Sequence, residues 1–202
     1  MKRFTHLHVH SNYTLLSGAN TIDEIILAAA EMGMNSIALT DTNAMYGIVP
    51  FYQMAKAVGI KPILGTELEL EDRSVVLLAR NNAGYSSLCR IISRRQFDDE
   101  FPVERNPSKG RRARRVCAEK EEAAAEVAKF VEFLEGASEN IFILAADKAV
   151  ISALARTDAR DSLYVRLENY GDYASGRKCR ELVELGRRYN LPLVAGNEAH
   201  FI

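Results

Sequence analysis

The sequence predicts an α/β fold with parallel strands, and three observations carry that reading. Short strand-like runs alternate with longer helical ones along the 202 residues, the pattern of repeated βα units. Polar residues gather at the ends of the strand-like runs, as they do in α/β barrels, where the loops after the strands share one mouth. Three of the four histidines lie within the first ten residues and the fourth is near the other end of the chain, where a closed barrel would bring first and last strands together.

Taken in order, the strand candidates are Phe4 to His10, Ser36 to Asp41, Pro62 to Leu70, Val75 to Arg80, Ile141 to Ala145, Leu163 to Leu167 and Leu191 to Ala195. Seven strands suit a barrel. The helix candidates are Ile22 to Met32, Ile48 to Val58, Tyr85 to Arg94, Glu119 to Leu134, Lys148 to Arg156 and Arg177 to Tyr189. The first follows an Asn20-Thr21 cap and carries Asp23 and Glu24 in its first turn, where acids favour the helix dipole. Gly33, Gly59 and Gly136 fall where helices should stop. Between Gln96 and Val116 the rhythm breaks: the stretch is polar, holds Pro102 and Pro107, and carries the basic run from Lys109 to Arg115. It reads as an exposed, solvated loop inserted around residues 96–118 of a single domain spanning 1–202, balanced by Glu119, Glu121 and Glu122.

Composition narrows the function. With 48% hydrophobic residues the chain can bury a sizeable core. Its 26 basic and 27 acidic residues give a net charge of -1, so nothing draws the whole molecule to nucleic acid or to an anionic membrane. Cys89, Cys117 and Cys179 form neither a disulfide framework nor a zinc-type pair, which suits a reducing cytoplasm. No signal peptide opens the chain and no apolar run is long enough to span a bilayer, so a soluble protein with no membrane partner is expected. Serine-hydrolase elbows, P-loops and dinucleotide-binding glycine fingerprints are absent.

The chemistry sits at the run ends. The first run finishes in His8 and His10, the second in Asp41, the third contains Glu67, the fourth ends beside Asn81, the sixth in Glu168 and Asn169, and the last leads into Asn197, Glu198 and His200. Alternation puts His6, His8 and His10 on one face of an extended segment, at about 7 Å per step. Imidazole and carboxylate together suit zinc, manganese and related ions, and paired ions can generate hydroxide and hold a phosphate ester. Histidine pairs on strands are also commonly just packed and hydrogen-bonded, so the spacing leaves both readings open.

Several segments carry a family resemblance: His6-Leu7-His8-Val9-His10-Ser11-Asn12-Tyr13, Ala38-Leu39-Thr40-Asp41, Met45-Tyr46-Gly47 and Ile63-Leu64-Gly65-Thr66-Glu67. These resemble successive motifs of the PHP (polymerase and histidinol phosphatase) domain. The segments Leu77 to Leu88, around Asn81-Asn82-Ala83-Gly84-Tyr85, and Leu191 to His200 are similar to the version found at the N-terminus of bacterial DNA polymerase III alpha subunits, and Leu16-Ser17-Gly18 leans toward their error-prone relatives. The resemblance implies a distorted seven-stranded (β/α) TIM-like barrel with a metal-cluster mouth. It carries His8, His10, Glu67, Glu198 and His200 over as metal ligands, Glu198 standing where the family has aspartate. Other ligands are missing: Ser17 replaces an aspartate, Thr42 a histidine, and Ala145 and Ala146 stand near the place of a cysteine. With about five of roughly nine ligands left, the site is expected to hold one zinc or manganese ion or none, Thr42 substituting hydrogen bonds for coordination. The implied partners are the remainder of a polymerase chain, DNA through that parent enzyme, and a proofreading exonuclease subunit. The polymerase carboxylates would lie outside this chain, and a metal-dependent phosphoesterase acting alone is the alternative.

Overall fold

The structure is a computed structural model, and it describes residues 4–15, 17–70, 73–97, 127–134 and 139–199. Six strands form one curled, half-barrel sheet in the order β1 (Ser36–Leu39), β2 (Lys61–Leu70), β3 (Arg73–Ala79), β4 (Ile141–Ala145), β5 (Leu163–Leu167) and β6 (Leu193–Ala195). The helices are α1 (Ile22–Glu31), α2 (Ile48–Ala57), α3 (Asn82–Phe97), α4 (127–134), α5 (Lys148–Leu154) and α6 (Tyr173–Tyr189), with a 3-10 turn over Asp158–Ser162. No described helix is long and apolar enough to cross a membrane.

Local chemistry explains the boundaries. Glu24 reaches back to accept a hydrogen bond from the Thr21 amide at 2.8 Å and so starts α1, which buries Ile22, Ile25, Ile26 and Ala29 along one stripe. Gly33 and Gly59, both at positive φ, end α1 and α2 as expected, whereas Gly136 lies outside the described residues. The third helix begins earlier than the sequence suggests, because the Asn81 side chain accepts from the Gly84 amide at 3.0 Å and caps the turn from Asn82. Gly84 is required there: a Cβ on it would collide with the Asn140 carbonyl. Asp147 and Asp172 cap α5 and α6 through backbone amides, and Asn190, in the left-handed region, ends α6. Residues 96 and 97 of the expected polar loop close α3, and the rest of that loop lies outside the described residues.

One expectation is corrected and another is met in part. The strands are not all parallel: β1–β2, β4–β5 and β5–β6 are, but β3 runs against both β2 and β4. The link between β2 and β3 covers only residues 71–72, too short for the crossover that a parallel pair needs. β2 changes partner midway, pairing with β1 through Lys61 to Leu64 and with β3 from Gly65 onward. A Cβ at Gly65 would stand 2.5 Å from the Leu77 carbonyl oxygen. The sheet also has six strands among the described residues where seven were expected. Residues 4–10 form an extended segment between β1 and the region after β6. On one side Ala38 and Thr40 amides donate to the His6 and Val9 carbonyls, and on the other the His10 amide donates to the Ala199 carbonyl at 3.0 Å and the Ala199 amide to the His8 carbonyl at 3.1 Å. No regular ladder forms because the Val9 amide is taken by the Thr40 hydroxyl at 2.9 Å.

The core has three parts. Helices α3 to α6 cover the outer face of β3–β5 with Leu88, Phe130, Leu134, Ile151 and Leu182, and α1 and α2 enclose Val9, Leu39 and Phe51. Inside the curl, Ala38, Val76, Leu78 and Leu144 pack with Leu7, Ile63, Phe142 and Tyr164. The end of the curl near Asn81 opens into an apolar recess of about 510 Å³, while the opposite end holds the polar residues.

Candidate metal centre

Four of the five ligand candidates converge. One donor atom from each of His8, His10, Glu67 and Glu198 lies within 4.8 Å of the others. The extended segment supplies the two histidines, which are 0% exposed and whose rings meet edge-on at 4.7 Å between centroids. β2 supplies Glu67, and the segment after β6 supplies Glu198. The hydrogen bonds between residues 8–10 and Ala199 are what bring the two ends of the described chain together. His200 lies outside the described residues.

The two Nε2 atoms face each other at 3.0 Å, Glu67 Oε1 is 3.4 Å from His8 Nε2, Glu67 Oε2 is 3.7 Å from His10 Nε2, and Glu198 Oε1 is 3.9 Å from His10 Nε2. Burial disfavours the charge on Glu67, yet the hydrogen bond and charge of His8, the Ser74 hydroxyl and the charge of His10 outweigh it and hold the carboxyl at about 2. Burial likewise opposes a charge on His8, as does Arg166, but Glu168 and Glu67 prevail and raise its pKa. Two imidazoles and two carboxylates pointing into one space are a donor set that suits a divalent cation of the zinc or manganese type. The mouth, a cavity of about 480 Å³, is lined by Thr42, Glu67, Glu69, Ser74 and Glu198 among others, so its charged walls are acidic.

Beneath the donors lies a second, fully hydrogen-bonded layer. Asp41, 1% exposed, accepts from the Ser11 amide at 2.7 Å, from the Ser11 hydroxyl at 2.8 Å and from the Thr14 hydroxyl at 2.8 Å. It organises the loop after His10 and stands outside the four-donor group. Thr42 donates to Glu67 Oε2 at 3.0 Å and lies 3.4 Å from His10 Nδ1, so its hydroxyl ties the two donor side chains together. Ser17 lines the mouth without joining the donors, and buried Ala145 and Ala146 at the end of β4 offer no ligand. His6 turns away to meet Asn197 Oδ1 at 2.7 Å.

Asn81 is not at this rim. Because β3 is reversed, its first residues reach the mouth through Ser74, and Asn81 lies at the opposite opening, bonded to Asn140 at 2.9 Å. Sequence reasoning also gave no role to Arg166. It is 5% exposed, its Nη1 lies 2.7 Å from His8 Nδ1, and its Nε lies 3.0 Å from Glu168 Oε1. The available signal was an arginine inside the short strand Leu163–Leu167, on the same alternating face as Tyr164 and Glu168.

Comparison with known proteins agrees with this picture. The family model described as PHP domain matches residues 6–127. A DNA polymerase III subunit alpha from Campylobacter jejuni is 43% identical over 105 residues, covering 46% of this chain and 9% of that protein. Its counterpart from Pseudomonas fluorescens is 31% identical over 98% of this chain and 17% of its own length. An error-prone DNA polymerase from Symbiobacterium thermophilum is 44% identical over 48% of this chain and 9% of its own. The chain thus spans a small fraction of the curated relatives it matches. Among solved structures, a protein from Bifidobacterium adolescentis assigned as a metal-dependent phosphoesterase superposes with a TM-score of 0.59 at 16% identity, over 100% of this chain and 89% of that one, a likeness of fold.

Proposed function

This chain belongs to the PHP domain family, and on that footing we propose that it is the N-terminal PHP domain of a bacterial DNA polymerase III alpha subunit, with a structural role and a reduced metal site. The observation that carries this reading is the convergence of His8, His10, Glu67 and Glu198 from the first segment, β2 and the segment after β6, with no further His, Cys, Asp or Glu joining them among the described residues. His200 is the fifth ligand of the proposal, and the whole of residues 1–202 is one domain with a basic loop insertion around 96–118. Residues 4–10 then count as the seventh strand of a distorted TIM-like barrel, irregular because Thr40 interrupts its ladder.

In this reading His8, His10, Glu67 and Glu198 hold a single zinc or manganese ion. A bound divalent ion would supply Lewis acidity and lower the pKa of a coordinated water. Glu67 brings an ionised carboxylate at neutral pH, Thr42 fixes its orientation, and the Asp41 layer holds the histidine loop rigid. One ion clamps a phosphate ester less well than two or three, so the domain's work is to support the polymerase that follows it in the same chain. That parent enzyme provides the contact with DNA and works in the cytoplasm, and the surface of this domain is offered to a proofreading exonuclease subunit.

The competing reading, a free-standing phosphoesterase, is favoured by resemblance of fold alone, to the Bifidobacterium protein among others. A hydrolysis assay separates the two. With p-nitrophenyl phosphate and with a single-stranded oligonucleotide, in zinc or manganese, turnover is expected to match a buffer blank. Turnover that disappears in His8→Ala would establish the phosphoesterase. Single-stranded DNA should bind weakly at physiological salt, as read by fluorescence anisotropy. Tight binding lost on neutralising Arg111, Arg112, Arg114 and Arg115 would give the basic loop a role it lacks here.

A further inference from the structure

A histidine that binds a metal through one ring nitrogen normally donates the proton of its other nitrogen to a carboxylate, carbonyl or water, which fixes the ring and strengthens the ligand. His10 conforms, with the Thr14 hydroxyl 3.2 Å from its Nδ1. His8 does not. Its Nδ1 faces the guanidinium of Arg166 at 2.7 Å, and arginine has donors only; the nearest carboxylate oxygen, Oε1 of Glu168, is at 3.9 Å. Arg166 is buried, permanently charged, and next to a space that would have to accept a dication. Its pairing with Glu168 is close but badly aligned: at 3.0 Å, neither Arg166 Nε nor Glu168 Oε1 makes a hydrogen bond of good geometry. Glu168 offsets the charge of Arg166 by proximity, but the other arm of the guanidinium still faces His8.

We propose that Arg166 is a positioning residue that holds down the metal affinity of this mouth, by placing a donor where His8 needs an acceptor and a fixed positive charge beside the incoming ion. The inference rests on the reading that His8, His10, Glu67 and Glu198 bind a divalent ion. Arg166 occupies, from the inner wall, part of the positive charge that the acidic mouth calls for. Its site comes from β5, which the four donors do not use.

The test is zinc binding measured by calorimetric titration on the wild-type domain, on Arg166→Gln, Arg166→Met and Arg166→Lys, and on His10→Ala. Two neutral variants of different polarity guard against a folding defect in either one; thermal melts qualify each, and Arg166→Lys keeps a charge to pair with Glu168. Changing a residue that touches a metal-binding side chain alters metal affinity by roughly 10–100-fold. Arg166→Gln and Arg166→Met are expected to bind zinc at least about tenfold more tightly than wild type, with Arg166→Lys within about threefold of it. A merely structural role would weaken binding and could not produce a gain. Neutral variants that bind no more tightly than wild type overturn the inference and leave the metal reading intact, provided His10→Ala still abolishes binding. If neither wild type nor the neutral variants take up zinc in a His10-dependent way, the inference and the reading beneath it both fail.

Discussion

Asp41→Ala is expected to cost about 2 to 4 kcal/mol of folding stability, because buried neutral donors lose their shared acceptor and an unsatisfied buried group costs roughly 1 to 3 kcal/mol. The carboxylate is the shared acceptor for the Ser11 amide, the Ser11 hydroxyl and the Thr14 hydroxyl, and Ser11 and Thr14 are 0% and 4% exposed. With alanine in its place these donors stay buried with nothing to receive them. The damage spreads to the donor group, because the Thr14 hydroxyl also lies 3.2 Å from His10 Nδ1 and accepts from the Thr42 amide at 3.2 Å. Urea unfolding monitored by circular dichroism should show a lower midpoint with an unchanged slope. Asp41→Asn, which retains one acceptor oxygen, should lose roughly half as much. A loss below about 1 kcal/mol for the alanine variant would mean that water replaces the carboxylate and that the layer is not a structural keystone.

The pH dependence of stability in the metal-free protein is the second large effect. Glu67 titrates at about 2 in the folded chain against an ordinary value of 4.5. A depressed carboxyl contributes stability that is complete above its unfolded pKa and is lost as pH falls toward its folded pKa, so this contribution decays between about pH 5 and pH 2 and amounts to about 3 kcal/mol. Glu168, lowered by His8 and Arg166 against the effect of burial, adds to the same acid limb. His8 acts with the opposite sign: its raised pKa gives a contribution that is full below about pH 6.5 and fades as pH climbs through the folded value. With a chelator present, the urea midpoint should peak between roughly pH 5 and pH 6.5 and fall on both sides. Glu67→Gln should flatten the acid limb. An acid limb of the same steepness in that variant would assign the titration to another group.

Much of the fold was legible because it follows local rules. Thr21 with Glu24, Gly33 and Gly59 marked helix ends correctly, and strand-like runs from Ser36 to Leu193 found the six strands. The reversal of β3 was not legible, since alternation within Val75 to Leu78 is blind to direction; the two-residue link to β2 was the only available clue. That reversal also misplaced Asn81, because a rule about C-terminal strand ends exchanges the two rims for an antiparallel strand. The first segment reads as a strand by alternation, yet a threonine hydroxyl replaces a ladder carbonyl at Val9, a detail that only three-dimensional register reveals. Within the site, His8, His10, Glu67 and Glu198 were readable from residue type and motif, while Arg166 was not, since its meaning depends on which histidine nitrogen it meets.

The central claim is that donors from distant parts of the sequence share one cation and no more. Zinc titration of the purified domain, with bound metal counted after desalting, tests it most directly. The expected result is saturation at no more than one equivalent, sub-stoichiometric retention after exhaustive dialysis, and loss of binding in His10→Ala and Glu67→Gln. Two or three tightly held equivalents, or one that survives both substitutions, would contradict it.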